Sequence, residues 1–374
     1  MKVLFVTHHY LDGFGGGTFA SRGYVNAIAR LADAVTLMCP VRGESMPECI
    51  DPSVRIIPVE DRRGRMAQLA GLLSGKVHRY FDTFPDEVRQ GSYDVVVFDT
   101  CYPSFRMIAY AREAGCKVVT VHHNYQVDFV RDNVSGLLRP LMLFWTRRSE
   151  REAVLGSDLN LVLTETDREL LEKHYAPRGQ AVIRVLGVFE FAGRPAETPR
   201  PRSADPVFLI TGDLGIRQTE VSLFSWAKRY YPILAERQPG ARVVIAGKRP
   251  SKRLRSMCQT FGFELIPSPP DMSAVLARGR YYICPTELGG GLKLRIMDGL
   301  KAGLPVLTHA VSARGYEVFE GFCLFSYRDE DSFRHALDQL LSRPVDPISV
   351  QARYREVFSF DAGVERMRTI FIDR

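Results

Sequence analysis

The 374-residue chain lacks the marks of several protein classes. Its seven cysteines (Cys39, Cys49, Cys101, Cys116, Cys258, Cys284 and Cys323) are scattered, none forms C-x-x-C, and no Cys/His set has zinc spacing. Several lie in apolar runs and read as reduced core residues of a cytosolic protein, which excludes a disulfide scaffold or a zinc module. No apolar run approaches the ~20 residues of a membrane-spanning helix. The opening MKVLFV reads as a β-strand, too short for the apolar part of a leader. There is no repeat of solenoid period and no low-complexity tract. No Asp-x-Asp stands at a strand end as a divalent-ion site. What remains is ordinary globular composition, 45% hydrophobic and 25% charged, with enough chain for two full cores.

The net charge of +7 is unevenly placed. Residues 1–190 hold 23 Lys and Arg against 23 Asp and Glu, and residues 191–374 hold 27 against 20. The excess in the C-terminal half suits a diphosphate ligand there, and equally a merely basic surface. A nucleic-acid stripe with interleaved aromatics is not seen: the densest cluster, Lys248, Arg249, Lys252, Arg253 and Arg255, has no aromatic within it.

Short apolar, β-branched runs alternate with helical patterns throughout. The strand candidates are 2–8, 34–40, 54–60, 94–99, 117–123, 159–165 and 182–187, then 207–212, 242–247, 263–268, 281–285, 305–309 and 322–326. Near-continuous apolar strands separated by helices predict parallel sheets covered on both faces. The pattern restarts after the Pro- and Arg-rich stretch 191–206, which reads as a linker. The predicted class is therefore α/β, two facing Rossmann-like doubly wound domains, over 1–190 and 207–356. The end of the chain reads as helices, the last over 357–374. Ligands are expected at the C-terminal ends of the strands.

The most informative stretch is PTELGGGLKLRIMDGLKAGLPV, 285–306. A buried strand, YYIC, feeds Gly289, Gly290 and Gly291 into LKLRIMDGLKAG, whose apolar residues have helical spacing. A glycine turn at a helix start exposes backbone N–H groups to an anion, and the helix dipole reinforces this. Lys293 and Arg295 add charge, and Asp298 is a carboxylate suited to sugar hydroxyls. A phosphate that also carries hydroxyls points to a nucleotide or nucleotide sugar. For an isolated glycine triplet a ligand-free strand–helix connection is the commoner reading, but the whole string is more specific. It resembles the donor-binding segment of glycosyltransferase family 4, through Pro285, Gly289, Gly291, Lys293, Leu294, Ile296, Leu300, Gly303, Pro305 and Val306. The chain departs from that pattern where Gly290 replaces Ser, or the wider family's first Glu, where Asp298 replaces the second Glu, and where Arg295 replaces Lys. Glu287 is the candidate to stand in for the missing carboxylate.

This resemblance extends over nearly the whole chain. It implies the GT-B arrangement and transfer of a sugar from a nucleoside diphosphate sugar to an acceptor hydroxyl. Retention of anomeric configuration, no metal and no cofactor beyond the co-substrate are implied with it. The setting it suggests is polysaccharide or glycolipid synthesis, with a sugar or lipid-linked sugar as acceptor. It also has the last helix cross back onto the first domain. In the first domain it assigns Gly16 and Gly17 to a donor-facing loop, and His122 or His123 to the donor sugar. In the second it adds Arg217, Gly247, Lys248 and Leu292, with Arg295 as the main diphosphate ligand and Lys293 as the lesser one. Asp99, ending the fourth strand, is expected to cap the helix after Pro103 in preference to orienting an acceptor hydroxyl. Two stretches, 65–81 and 137–149, join Leu and Met to aromatic–basic ends. They read as buried helices with charged ends or as a peripheral membrane contact on the cytoplasmic side. The rival functions are a non-catalytic sugar-nucleotide-binding or partner protein, and a nucleotide-sugar epimerase or phosphorylase on the same fold.

Overall fold

In a computed structural model, residues 1–13, 15–41, 49–59, 64–75, 84, 88, 89, 91–104, 107–177, 179–193 and 205–371 are described. Most of the 191–206 stretch, and residues 76–81 of the first candidate membrane stretch, lie outside them. The chain forms two compact units. One comprises Met1–Arg194, Gly290–Leu292 and Phe358–Arg374, the other Pro195–Gly289 and Lys293–Val357.

The first unit contains β1 (Lys2–Thr7), β2 (Ala34–Pro40), β3 (Arg55–Val59), β4 (Val95–Asp99), β5 (Lys117–His122), β6 (Leu159–Val162) and β7 (Ile183–Val185). The second contains β8 (Val207–Asp213), β9 (Arg242–Lys248), β10 (Glu264–Pro267), β11 (Tyr281–Cys284), β12 (Val306–His309) and β13 (Leu324–Tyr327). Each matches a strand predicted from the sequence, β2 with the same ends and the others with trimmed or shifted ends. The run 159–165 stops at Val162 because Thr164 leaves the sheet to cap helix Glu165–Tyr175, accepting from Asp167 N at 3.1 Å.

Every strand pairing is parallel. The orders are β3-β2-β1-β4-β5-β6-β7 and β10-β9-β8-β11-β12-β13. Chain direction across the sheet reverses between β1 and β4 in one unit and between β8 and β11 in the other. A doubly wound sheet opens a crevice at that point, beyond the carboxyl ends of the strands. In the second unit Trp226, Tyr230, Phe208 and Ile283 are buried in a core that joins the sheet to its helices. In the first unit Leu4, Val6, Phe98 and Val118 do the same. The last helix, Phe360–Phe371, belongs to the first unit and packs on helix Gly16–Leu31. Arg366 donates to Val188 O at 3.3 Å, and Arg30 lies over the Phe360 ring.

Among the described residues no helix is long and apolar enough to cross a membrane. None of the seven cysteines is in a disulfide, and five of them are buried.

Candidate active site

In the first unit the switch-point strands end in register at Thr7 and Asp99. Asp99 is fully buried. Its Oδ2 accepts from Thr7 Oγ1 at 2.6 Å and from Ser21 Oγ at 2.5 Å, and its Oδ1 accepts from His123 Nε2 at 2.5 Å. Burial opposes its charge, but His123, His9 and the Ser21 hydroxyl outweigh that and hold the carboxyl well below its usual range. The expected cap is therefore not what Asp99 does. A buried carboxylate needs several donors, and β1, helix Gly16–Leu31 and the residue after β5 supply them. Thr100, the next residue, has φ of 91°, an unusual conformation for a β-branched side chain. Its Oγ1 lies 3.1 Å from His8 Nδ1.

The two histidines at the end of β5 part as successive strand residues must. His122 turns into the core, where its Nε2 meets Asn160 Oδ1 at 3.0 Å. Burial drives its pKa to about 4, so it is neutral at pH 7. His123 is the one that reaches Asp99. His9 lies beside it, ring centroids 5.3 Å apart. Burial, with His8 next, pushes the His9 pKa well below its ordinary value, and its Nε2 has no hydrogen-bond partner among the described residues. Gly16 and Gly17, expected in the loop, instead open helix Gly16–Leu31. A Cβ at Gly17 would lie 2.5 Å from the His9 ring, so any side chain there would displace that ring.

His9, Asp99 and His123 offer ligand atoms within 4.8 Å of one another, a set that can hold a metal ion. The Asp99 oxygens are already taken by two hydroxyls and an imidazole, which suits a carboxylate that orients His123. Elsewhere, Asp329 of the Asp329–Glu330–Asp331 run caps helix Glu330–Ser342, accepting from Ser332 N at 2.8 Å.

In the second unit β8 and β9 run in register to Gly212 and Gly247. A Cβ at Gly247 would lie 1.8 Å from Gly212 O, so a side chain is excluded. Over Gly212 lies the Arg295 guanidinium, donating to Thr219 Oγ1 at 3.0 Å and Thr286 Oγ1 at 3.4 Å. These threonines lie on helix Arg217–Arg229 and just after β11, so Arg295 is tethered at the switch point of the sheet. Beyond β11 the chain turns through Gly289 (φ 82°) and Gly291 (φ 68°), left-handed conformations that glycine adopts readily. Those turns delay the helix. It runs Arg295–Lys301, not from Leu292 as predicted, and Lys293 precedes it, half-buried, with its carbonyl accepting from Tyr316 Oη at 2.9 Å. The glycine amides therefore belong to a loop and not to a helix end. Gly290–Leu292 go with the first unit. Beside Gly289 sits Gln218, whose Nε2 is buried without a partner among the described residues.

The other sequence candidates are peripheral to Arg295. Arg217 is the exposed first residue of its helix, and Lys248 is exposed at the end of β9. Asp298 is on the exposed side of helix Arg295–Lys301, and Glu287 is half-buried, its N donating to Ser222 Oγ at 3.2 Å. Asp213 pairs with Arg249. Sequence reasoning missed Thr7 and Ser21 in one unit and Gln218, Thr219 and Thr286 in the other. The available signal was polar residues ending adjacent parallel strands: Thr7, Asp99–Thr100 and His122–His123.

The sequence of the second unit matches the family model described as "Glycosyl transferases group 1" over residues 205–343. Residues 205–343 are a glycosyl transferases group 1 domain. An exopolysaccharide phosphotransferase of Streptomyces coelicolor is 25% identical over 307 residues, 76% of this chain and 29% of that protein. The chain thus spans less than a third of the curated relative's length. Among solved structures, sucrose-phosphate synthase from Thermosynechococcus elongatus has a TM-score of 0.67 at 13% identity, covering 99% of this chain and 94% of its own. Anabaena HepE, solved with UDP, gives the same score and identity with 100% of both chains covered. The lipopolysaccharide outer core galactosyltransferase WaaB gives 0.67 at 12%, covering 100% and 99%. The chain has the GT-B glycosyltransferase fold, and its group 1 domain coincides with the sheet that carries Arg295 and the glycine loop.

Proposed function

We propose that the protein transfers a sugar from a nucleoside diphosphate sugar to an acceptor hydroxyl, with retention, without a metal, in polysaccharide or glycolipid synthesis. The observation that carries this reading is Arg295 held over Gly212 at the switch point of a glycosyl transferases group 1 domain. A tethered guanidinium beside glycine-lined backbone is suited to a diphosphate leaving group, whose developing charge it would stabilise. Gln218 supplies an unengaged amide donor at the same loop. In the first unit His123, oriented by Asp99, is the group suited to the donor sugar. The complexes of HepE with UDP and with UDP-glucose make uridine diphosphate sugars the first donors to test. The curated relative supports an exopolysaccharide setting.

The acceptor side of this reading includes a peripheral membrane contact at the cytoplasmic face. Met66, Leu73 and Phe144 are well exposed on two neighbouring helices of the first unit and Leu137 in the turn before the second, with exposed Arg147 and Arg148 alongside. Apolar side chains with adjacent arginines suit an anionic bilayer surface.

The test is titration with UDP and other nucleoside diphosphates, followed by a nucleotide-release assay over a panel of nucleotide sugars and NMR of the product's anomeric configuration. Transfer with retention is expected. A sugar that stays nucleotide-linked but changes configuration would indicate an epimerase. Binding without turnover on any donor and acceptor would indicate a non-catalytic protein.

A further inference from the structure

The turn that carries His123 is fixed by two buried carboxyl groups from helices distant in sequence. Helix Gln126–Asn133 opens two residues after Asn124, and the side chain of its cap residue, Tyr125, does not cap it. The first N–H groups of a helix have no partner within it. Here Gln126 N donates to Glu150 Oε1 at 2.7 Å, and Tyr125 N donates to Asp167 Oδ1 at 2.9 Å. Glu150 lies on helix Arg139–Gly156 and is fully buried; Asp167 lies on helix Glu165–Tyr175 and is 3% exposed. Each is braced in turn. Tyr175 Oη donates to Glu150 Oε2 at 3.0 Å, and Thr164 Oγ1 donates to Asp167 Oδ2 at 2.6 Å. The Tyr125 ring stacks on His174, centroids 5.2 Å apart and planes within 9°.

We infer that Glu150 and Asp167 are positioning residues. They hold the Tyr125 and Gln126 amides, and through that turn keep the His123 imidazole on Asp99. The inference rests on the transferase reading for its consequence in turnover, but not for its geometry. A buried carboxyl costs free energy that an apolar side chain at the same place would not. Two such groups, each aimed at one of two successive amides just beyond Asn124, are accounted for by the need to fix that turn. Neither touches Asp99 or the glycine loop, so neither is catalytic.

The experiment compares the full chain with Glu150→Gln, Glu150→Ala and Asp167→Asn. Glutamine keeps an acceptor for Gln126 N and an amide that can donate to Tyr175, whereas alanine keeps neither. Backbone hydrogen exchange is read over 123–130, with β5 as the internal control. Glu150→Ala should lose protection on the order of tenfold or more in 123–130 with β5 unchanged, and Glu150→Gln should retain it. Where the wild type transfers sugar, Glu150→Ala should lower kcat on the order of tenfold, leave affinity for the nucleoside diphosphate unchanged, and be rescued by Glu150→Gln. Unaltered exchange over 123–130 in Glu150→Ala overturns the inference whether or not transfer is found. Absence of transfer in the wild type overturns only the functional reading. If Glu150→Ala does not fold, Glu150→Gln and Asp167→Asn decide: equal loss of kcat and thermal stability in both, with no change confined to 123–130, would make the pair merely structural.

Discussion

Asp99 Oδ1 and His123 Nε2 lie 2.5 Å apart, at the carboxyl ends of adjacent strands β4 and β5. A carboxylate with two further hydroxyl donors cannot follow a moving imidazole, so it fixes both the orientation of His123 and the nitrogen that carries the proton. Under the proposed function the other ring nitrogen would be the one that contacts the donor sugar. The hypothesis is that Asp99→Asn keeps the shape but loses the carboxylate that orients His123. Turnover should fall on the order of 100-fold, within the range found for general acid–base groups. Affinity for the nucleoside diphosphate should be unchanged. Equal losses in kcat and in nucleotide affinity would remove Asp99 and His123 from the chemistry.

His9 tests whether this cluster is instead a metal site. Its Nε2 is unpartnered among the described residues and its low pKa keeps it neutral, as a ligand must be. The expectation is that prolonged EDTA leaves turnover unchanged, because the Asp99 oxygens are committed to Thr7, Ser21 and His123. Activity lost to EDTA and restored by zinc or manganese in the wild type, but not in His9→Ala, would assign the metal to this set.

Arg295 and Lys293 make a third test. Arg295 is tethered by Thr219 and Thr286, while Lys293 lies in the loop before the helix. Arg295→Ala should abolish the preference for nucleoside diphosphate over monophosphate, and Lys293→Ala should reduce it less. Calorimetric titration of both nucleotides into each variant reads this directly. An intact preference in both would mean that the glycine loop does not hold the diphosphate. In the same titration Asp298→Ala should weaken nucleotide binding by about 1–3 kcal/mol if the carboxylate holds the ribose.

Much of the fold was legible because each strand is an unbroken apolar run flanked by helical patterns, as strands covered on both faces must be. Nor did the glycine loop need coordinates to stand out, since three adjacent glycines between a strand and a helix are rare chemistry in one short string. The start of the helix was misplaced because Gly289 and Gly291 adopt positive φ, which sequence spacing does not display. The role of Asp99 was hidden for another reason. Its partners Thr7, Ser21 and His123 are 92, 78 and 24 residues away, and only the strand order β1-β4-β5 brings them together. Glu150 and Asp167 were invisible likewise, since each caps an amide belonging to a helix other than its own.

Glu150 also sets a pH dependence of stability. Burial raises its pKa from 4.5 to about 8, against the pull of the Gln126 amide and the Tyr175 hydroxyl and with a small push from Asp167 and Asp128. The folded protein therefore holds a proton that the unfolded chain releases between about pH 4.5 and 8. In that window the folded state binds more protons than the unfolded one, so stability falls as pH rises and levels off above the folded pKa. The group is fully buried, so solvent does not screen the effect, and its size is on the order of a few kcal/mol. Glutamine at 150 imitates the protonated carboxyl: one oxygen accepts from Gln126 N and the amide nitrogen faces Tyr175 Oη. The hypothesis is that Glu150→Gln matches the wild type in denaturant unfolding at pH 5 and exceeds it at pH 8. Parallel stability profiles for the two proteins across that range would show that the Glu150 carboxyl titrates near its ordinary value and that this account of its burial is wrong.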